Sequence, residues 1–73
     1  MGRVVVLGES VVVAGFALGG AVPVAADDPD AVRRSWESLD GDTAVVVLTP
    51  AAADALGART AERPDTLVVR MPT

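Results

Sequence analysis

The side chains best suited to chemistry in this chain lie where apolar runs give way to polar turns. Glu9 follows the first run, Asp27 and Asp28 follow the second, and Thr49 follows the third. If those runs are parallel strands, their carboxyl ends share one edge of a sheet, where doubly wound folds bind ligands. Carboxylates at such an edge are suited to hold Mg²⁺, and they also stabilise the N-terminal ends of helices. These residues therefore predict either a ligand site or a set of helix caps.

The turn Gly8-Glu9-Ser10 has the position of a phosphate-binding loop in such folds. A dinucleotide site requires G-x-G-x-x-G and a phosphate loop requires Gly-Lys-Ser/Thr, whereas Gly8 is isolated and the chain has no lysine. A receiver domain would place a phosphorylatable aspartate after the third strand, where this chain has Leu48 and Thr49. Helix capping is therefore the favoured interpretation of the acids. A receiver-like or nucleotide-binding regulatory domain is the alternative.

The composition of the chain excludes several classes of functional site. The chain has 73 residues, no cysteine, no histidine and a net charge of −4. Disulfides, thiolate metal sites and the commonest general base are thereby excluded. An acidic chain with one Trp and one Phe is a poor match for nucleic acid or for anionic lipid. We therefore predict a non-enzymatic, cytoplasmic protein that uses no cofactor or metal, binds another protein, and neither binds nucleic acid nor inserts into a membrane.

Four valine-rich runs set the expected architecture. Valine is β-branched and packs well on a pleated surface, so each run predicts a strand. The first and third runs lack alternation, which predicts strands buried on both faces. Stretches with helical character separate the runs, and strands that alternate with helices predict a parallel sheet. The predicted strands are Arg3–Leu7, Val22–Ala26, Thr43–Thr49 and Thr66–Met71.

Two residues determine the expected order of the strands. Pro23 cannot donate to a central ladder, and Arg70 discourages pairing with a further strand, so each marks an edge strand. With right-handed connections, the order becomes 2-1-3-4. We therefore predict one α/β domain over residues 1–73, in which a small Rossmann-like or flavodoxin-like parallel sheet is flanked by three helices.

The three helices carry start and stop signals. Ser10 is predicted to cap the first helix, and Asp28 and Thr49, each followed by proline, are predicted to cap the other two. Trp36 is predicted to pack in the core from the second helix, and Gly57 to end or kink the third. The predicted helical spans are 11–19, 29–39 and 51–56.

The uncharged stretch 11–26 has two further interpretations. It is short for a membrane span, which needs about 20 residues, and it is similar to the apolar core of a secretory signal. Since cleavage after Ala26 would leave only two of the four strands, we interpret the stretch as the first helix and second strand. Gly15 and Gly19 have the G-x-x-x-G spacing, which we expect to let this helix pack closely on the sheet.

The apolar segment Val4–Gly8 is followed by Glu9 and then by residues 15–20, GFALGG. This order resembles the start of a family of small central-stalk proteins, the F subunits of the bacterial and archaeal vacuolar-type (A/V-type) rotary ATPase. That family typically opens with an apolar strand, a Gly-Asp turn and a helix with a Gly-Phe-x-Leu-Ala-Gly pattern. Glu9 replaces the usual Asp, and Val11–Val13 replaces a more polar segment. The segments similar to the family are Val4–Gly8, residues 15–20 (GFALGG), Asp28–Ala31, Thr43–Thr49, and Pro64 with residues 67–72.

The resemblance implies a non-catalytic central-stalk subunit that binds the shaft subunit, meets other soluble-head subunits, and couples ATP turnover to proton or sodium transport. The family usually continues beyond the fourth strand into a C-terminal helix that docks on the coiled-coil shaft subunit, and this chain resembles the globular domain without that helix. Shaft binding would then use the globular domain alone, through the outer side of the first helix or the edge of the fourth strand. The predicted partner-binding residues are Val11, Ala14, Leu18 and Arg70.

Overall fold

Four strands form the centre of the molecule. The computed structural model describes residues 2–72, apart from the side chains of Ala17 and Leu18. The strands pair in parallel in the order β2-β1-β3-β4, which confirms the predicted fold class and strand order. They are β1 (Arg3–Gly8), β2 (Val22–Ala25), β3 (Thr43–Leu48) and β4 (Leu67–Arg70).

Short helices connect the strands. Two of the α-helices continue directly into 3₁₀ helices, which are called η1 and η2 below. Gly57, at the junction of α3 and η2, has φ +53°, a backbone conformation that glycine adopts without a steric penalty, and it ends α3 as predicted. The helices are α1 (Ser10–Val13), η1 (Ala14–Gly19), α2 (Pro29–Glu37), α3 (Pro50–Leu56) and η2 (Gly57–Glu62).

The main core lies between the sheet and the pair α2 and α3. Trp36 is its largest side chain and is 2 % exposed, which confirms its predicted inward position. Every second residue along each strand faces these helices, because successive side chains point to opposite sides of a sheet. The buried members of this core are Leu7, Ala26, Val32, Trp36, Val46, Leu48, Ala52 and Leu56.

The opposite face of the sheet is covered only in part. Helices α1 and η1 pack over β1 and β2, where Val6 and Val13 become buried. Across the rest of this face, the side chains of β3 and β4 reach the surface. The prediction that the first and third strands are buried on both faces is therefore wrong for Val4, which is 42 % exposed, and for the half-buried Val45.

The first helix is shorter than predicted. Only residues 10–13 are α-helical, and residues 14–19 form the tighter 3₁₀ helix. Consecutive valines and the following Gly15 all have low helix propensity, which explains the early end of the α-helix. Gly15 and Gly19 are exposed, with no other part of the protein close to where a Cβ would lie, so the expected close packing through these glycines is wrong.

Arg63 closes the C-terminal end of α2. Its guanidinium donates hydrogen bonds to the carbonyl oxygens of Trp36 (3.2 Å) and Leu39 (2.9 Å), and it lies 5.5 Å from the centre of the Trp36 ring. Carbonyls at a helix C-terminus lack intrahelical partners and carry partial negative charge, so a cation stabilises them. Glu62 accepts a hydrogen bond from the Trp36 indole (3.3 Å). Residues 62 and 63 thus fasten the segment before β4 to the core.

We expect Arg63→Met to destabilise the fold by about 1–3 kcal/mol, because the methionine keeps the apolar stem but leaves the carbonyl groups without their charged donor. Urea denaturation followed by fluorescence of the single tryptophan measures this loss. Arg59→Met is the matched control, since the Arg59–Glu37 ion pair is exposed at 3.5 Å and should contribute no more than about 0.5 kcal/mol. Equal stabilities of the two variants would contradict the role assigned to Arg63.

Candidate functional site

The parallel register gathers the predicted chemical residues at the carboxyl edge of the sheet. Gly8 of β1 lies beside Ala25 of β2, and Leu7 lies beside Leu48 of β3. The polar residues that follow these strands therefore emerge side by side, as the sequence predicts. They are Glu9, Asp27, Asp28 and Thr49.

Asp27 caps the first helix from a different part of the chain. Its Oδ1 accepts hydrogen bonds from the backbone N–H of Ser10 (2.9 Å) and from the Ser10 hydroxyl (3.1 Å). The prediction that Ser10 is the N-cap is wrong: Ser10 is the first helical residue, and Glu9 holds the cap position without a capping side-chain hydrogen bond. The N–H of Ser10 has no partner within the helix, and the carboxylate of Asp27, which follows β2, accepts its hydrogen bond.

Thr49 links three elements at this edge. Its Oγ1 accepts a hydrogen bond from the Ala52 N–H (3.3 Å), which confirms it as the N-cap of α3. The same hydroxyl donates a hydrogen bond to Glu9 Oε1, so the glutamate of the first turn is tied to the start of α3. Thr49 is fully buried, and a Cβ on Gly8 would lie 2.2 Å from the Thr49 methyl carbon. Close approach of β1 to the β3–α3 turn therefore requires glycine at position 8.

Asp28 completes the set as the predicted N-cap of α2, because its side chain accepts a hydrogen bond from the Ala31 N–H (2.8 Å) and Pro29 follows at the first helical position. Each of the three carboxylates therefore accepts a hydrogen bond from within the protein. The cavity beside them measures about 70 Å³, whereas small-molecule sites usually have about 300 Å³ or more. Within residues 2–72, no group of three acidic side chains is arranged to hold a metal ion. These observations favour capping over the ligand-site interpretation.

The structure separates the predicted partner-binding residues. Val11 is 87 % exposed on α1, and Ala14 is exposed at the start of η1. The side chain of Leu18 lies outside the described part of the chain. Arg70 belongs to the edge strand as predicted, but its guanidinium points towards α3 and pairs with Asp54 at 3.0 Å. Arg70 therefore lies on the side of the sheet opposite α1.

An apolar surface that the sequence analysis missed lies beside α1 and η1. We call it the open sheet face. Its side chains alternate with those of the main core along each strand, so they point to the other side of the sheet. Uniformly apolar runs predict strands that are buried on both faces. An open face contains the same residue types as a buried face and differs only in that no helix covers it. The open sheet face consists of Val4, Val45, Val47, Leu67 and Val69.

Replacing Thr49 by valine should lower the free energy of unfolding by about 1–2 kcal/mol, since valine has nearly the same shape but provides neither the cap of Ala52 nor the donor to Glu9. Thermal unfolding by circular dichroism measures the change. Glu9→Ala is the internal comparison, because it removes one of the two hydrogen bonds and should cost less. A Thr49→Val variant as stable as the parent protein would show that this hydroxyl does not stabilise the carboxyl edge.

We predict that Gly8→Ala destabilises the protein by about 1–3 kcal/mol, because the new methyl group overlaps the buried Thr49 side chain. Gly15→Ala is the matched control, since a Cβ there meets open space and should leave stability unchanged or slightly raised. Chemical denaturation of both variants checks the prediction. Equal midpoints would indicate that β1 and the β3–α3 turn are not in close contact.

Comparison with known protein families, curated proteins and solved structures finds no match for this chain. Among the helices that the structure describes, none combines the length and apolarity needed to cross a membrane.

Proposed function

We propose that this chain is a non-catalytic, protein-binding subunit of the central stalk of a vacuolar-type rotary ATPase. In this role it binds the shaft subunit on the cytoplasmic side of the membrane and takes part in coupling ATP turnover to proton or sodium transport. The single observation that carries the proposal is the amount of apolar surface on one side of the sheet. That side includes Val11, 87 % exposed, and Leu67, 62 % exposed.

Exposed apolar side chains that cluster on one side of a small domain mark a surface for another protein. Val11 lies on α1 and Ala14 at the start of η1, and the open sheet face lies next to these two elements on the same side of the sheet. Burying these side chains would release water from apolar surface, which is the main driving force of protein association. Binding of another protein would therefore account for the exposure of these apolar side chains.

The family resemblance supports the rotary ATPase as the assembly. The motifs that resemble the central-stalk family include Val4–Gly8, residues 15–20 and Thr43–Thr49, and in this fold they form most of β1, most of η1, and β3 with the N-cap of α3. A parallel α/β sheet hosts many unrelated functions, so the fold alone does not identify one. The motifs and the exposed apolar surface together favour a stalk component, whose task is to hold a partner rather than to convert a substrate.

Binding to the shaft subunit tests the proposal directly. The full chain is mixed with the full-length shaft subunit of a vacuolar-type ATPase from the same source, and the mixture is analysed by size-exclusion chromatography with light scattering. We expect a stable complex with one copy of each protein. The catalytic head subunits without the shaft subunit serve as the control and should give a weaker complex or none.

Two outcomes would overturn the proposal. One is the absence of any complex with the shaft subunit at micromolar concentrations of both proteins. The other is saturable, micromolar binding of Mg²⁺ or ATP, detected through Trp36 fluorescence, because such binding would favour the receiver-like or nucleotide-binding alternative.

A further inference from the structure

We infer that the open sheet face binds one amphipathic α-helix whose apolar stripe is flanked by lysine or arginine. This inference rests on the proposed function for the identity of the partner, which is the helical shaft subunit.

The open sheet face is apolar without interruption. In the register of the sheet, Val4 lies beside Val45, and Val45 lies beside Leu67. In the next row, Val47 lies beside Val69. No charged residue occurs in these two rows. Water over such a surface is displaced favourably by any apolar partner of matching shape.

The exposure of these residues shows that the surface is accessible. Leu67 is 62 % exposed, Val4 is 42 % and Val69 is 40 %, although all three lie in the sheet. On β3, Val46 and Leu48 are 0 % and 1 % exposed beneath α2 and α3, whereas Val45 and Val47 on the open sheet face are half-buried. The two sides of β3 are therefore equally apolar in sequence but differ in whether helices cover them.

The uncovered part of the sheet has room for a single helix. Neighbouring strands lie about 4.8 Å apart, so the distance from the centre of β1 across β3 to the centre of β4 is about 10 Å. An α-helix with its side chains has a diameter of about 10–12 Å. The opposite side of the sheet carries α2 and α3, whereas within residues 2–72 this side carries only α1 and η1, over β1 and β2. One additional helix beside α1 would complete the second layer.

Size argues against a second copy of this chain as the occupant. A stable interface between globular proteins usually involves about 20 residues and about 800 Å² from each partner. The open sheet face has five residues, and a helix lying in a groove is recognised through a similarly small number of anchors.

Charge also favours a partner of the opposite sign. The chain has ten acidic and six basic residues, and its net charge of −4 opposes association with another copy of itself. Asp42 and Asp65 lie one and two residues before β3 and β4, at the amino-terminal end of the open sheet face. Arg3 lies nearby, but its closer partner is Asp40 at 3.2 Å, whereas Asp42 is 3.9 Å away. Lysine or arginine beside the apolar stripe of a partner helix would complement these acids and would speed association.

The test combines surface variants with two kinds of partner. Leu67→Asp and Val4→Asp place a charge on the open sheet face. Val22→Asp is the matched control, because Val22 has the same 42 % exposure as Val4 but lies on the α2 and α3 side of the sheet. Circular dichroism and urea denaturation verify that each variant is folded, and Val69→Lys, at the strand edge, replaces any variant that is not.

The partners are the full-length shaft subunit and synthetic peptides of about 18 residues, since shorter isolated helices are marginal in water. One peptide has a leucine stripe flanked by lysine and arginine, the second has the same stripe flanked by glutamate, and the third is a scramble of the first. We expect Leu67→Asp and Val4→Asp to weaken binding of the shaft subunit by about tenfold or more, and Val22→Asp by less than about twofold. We also expect the basic peptide to bind more tightly than the other two, and less tightly at high salt.

The outcomes separate this inference from the proposed function. A shaft complex that is unaffected by Leu67→Asp and Val4→Asp would overturn the inference while leaving the proposed function in place. Binding of the basic peptide that depends on Leu67, without any shaft complex, would support the surface and overturn the stalk assignment. A homodimer in sedimentation equilibrium that Leu67→Asp abolishes would overturn the inference, because the second copy would then occupy the open sheet face.

Discussion

A four-stranded sheet has two faces to cover, and the described part of the chain covers them with the three helical connections between its strands. Each connection between parallel strands must cross one face, and two of the three cross the same side. That side acquires the core around Trp36, whereas the other receives only the short α1 and η1. The uneven distribution explains both where the protein is stable and where its apolar side chains remain accessible.

The carboxyl edge shows how a small domain without disulfides fixes its helices. Asp27, Asp28 and Thr49 each satisfy N–H groups at a helix start, and Glu9 joins the first turn to the third helix. In larger doubly wound proteins, the same edge holds ligands. Here the hydrogen-bonding capacity of these side chains is used to position helices, so the edge that resembles a ligand site contributes to the fold.

Arg63 and Trp36 serve the same purpose at the opposite end of α2. The guanidinium satisfies carbonyls at the helix end, and the indole is held by Glu62. These contacts fix the course of the chain into β4, and β4 then exposes Leu67 and Val69 on the side away from Trp36. The stability of the covered side and the accessibility of the open sheet face therefore depend on the same segment.

Features that depend on neighbouring residues could be predicted from composition and spacing. Valine runs predicted the strands, Pro23 and Arg70 indicated the edge strands, and proline after Asp28 or Thr49 indicated the starts of helices. Each of these signals depends on a residue's own backbone and side-chain chemistry and on its close neighbours in the sequence. Tertiary structure decided the capping of Ser10 by Asp27, which lie 17 residues apart, and the closure of α2 by Arg63, 27 residues from Trp36. It also decided which apolar face stays open. The composition of a strand indicates how well its side chains can pack, but the placement of the connecting helices determines whether a helix covers them.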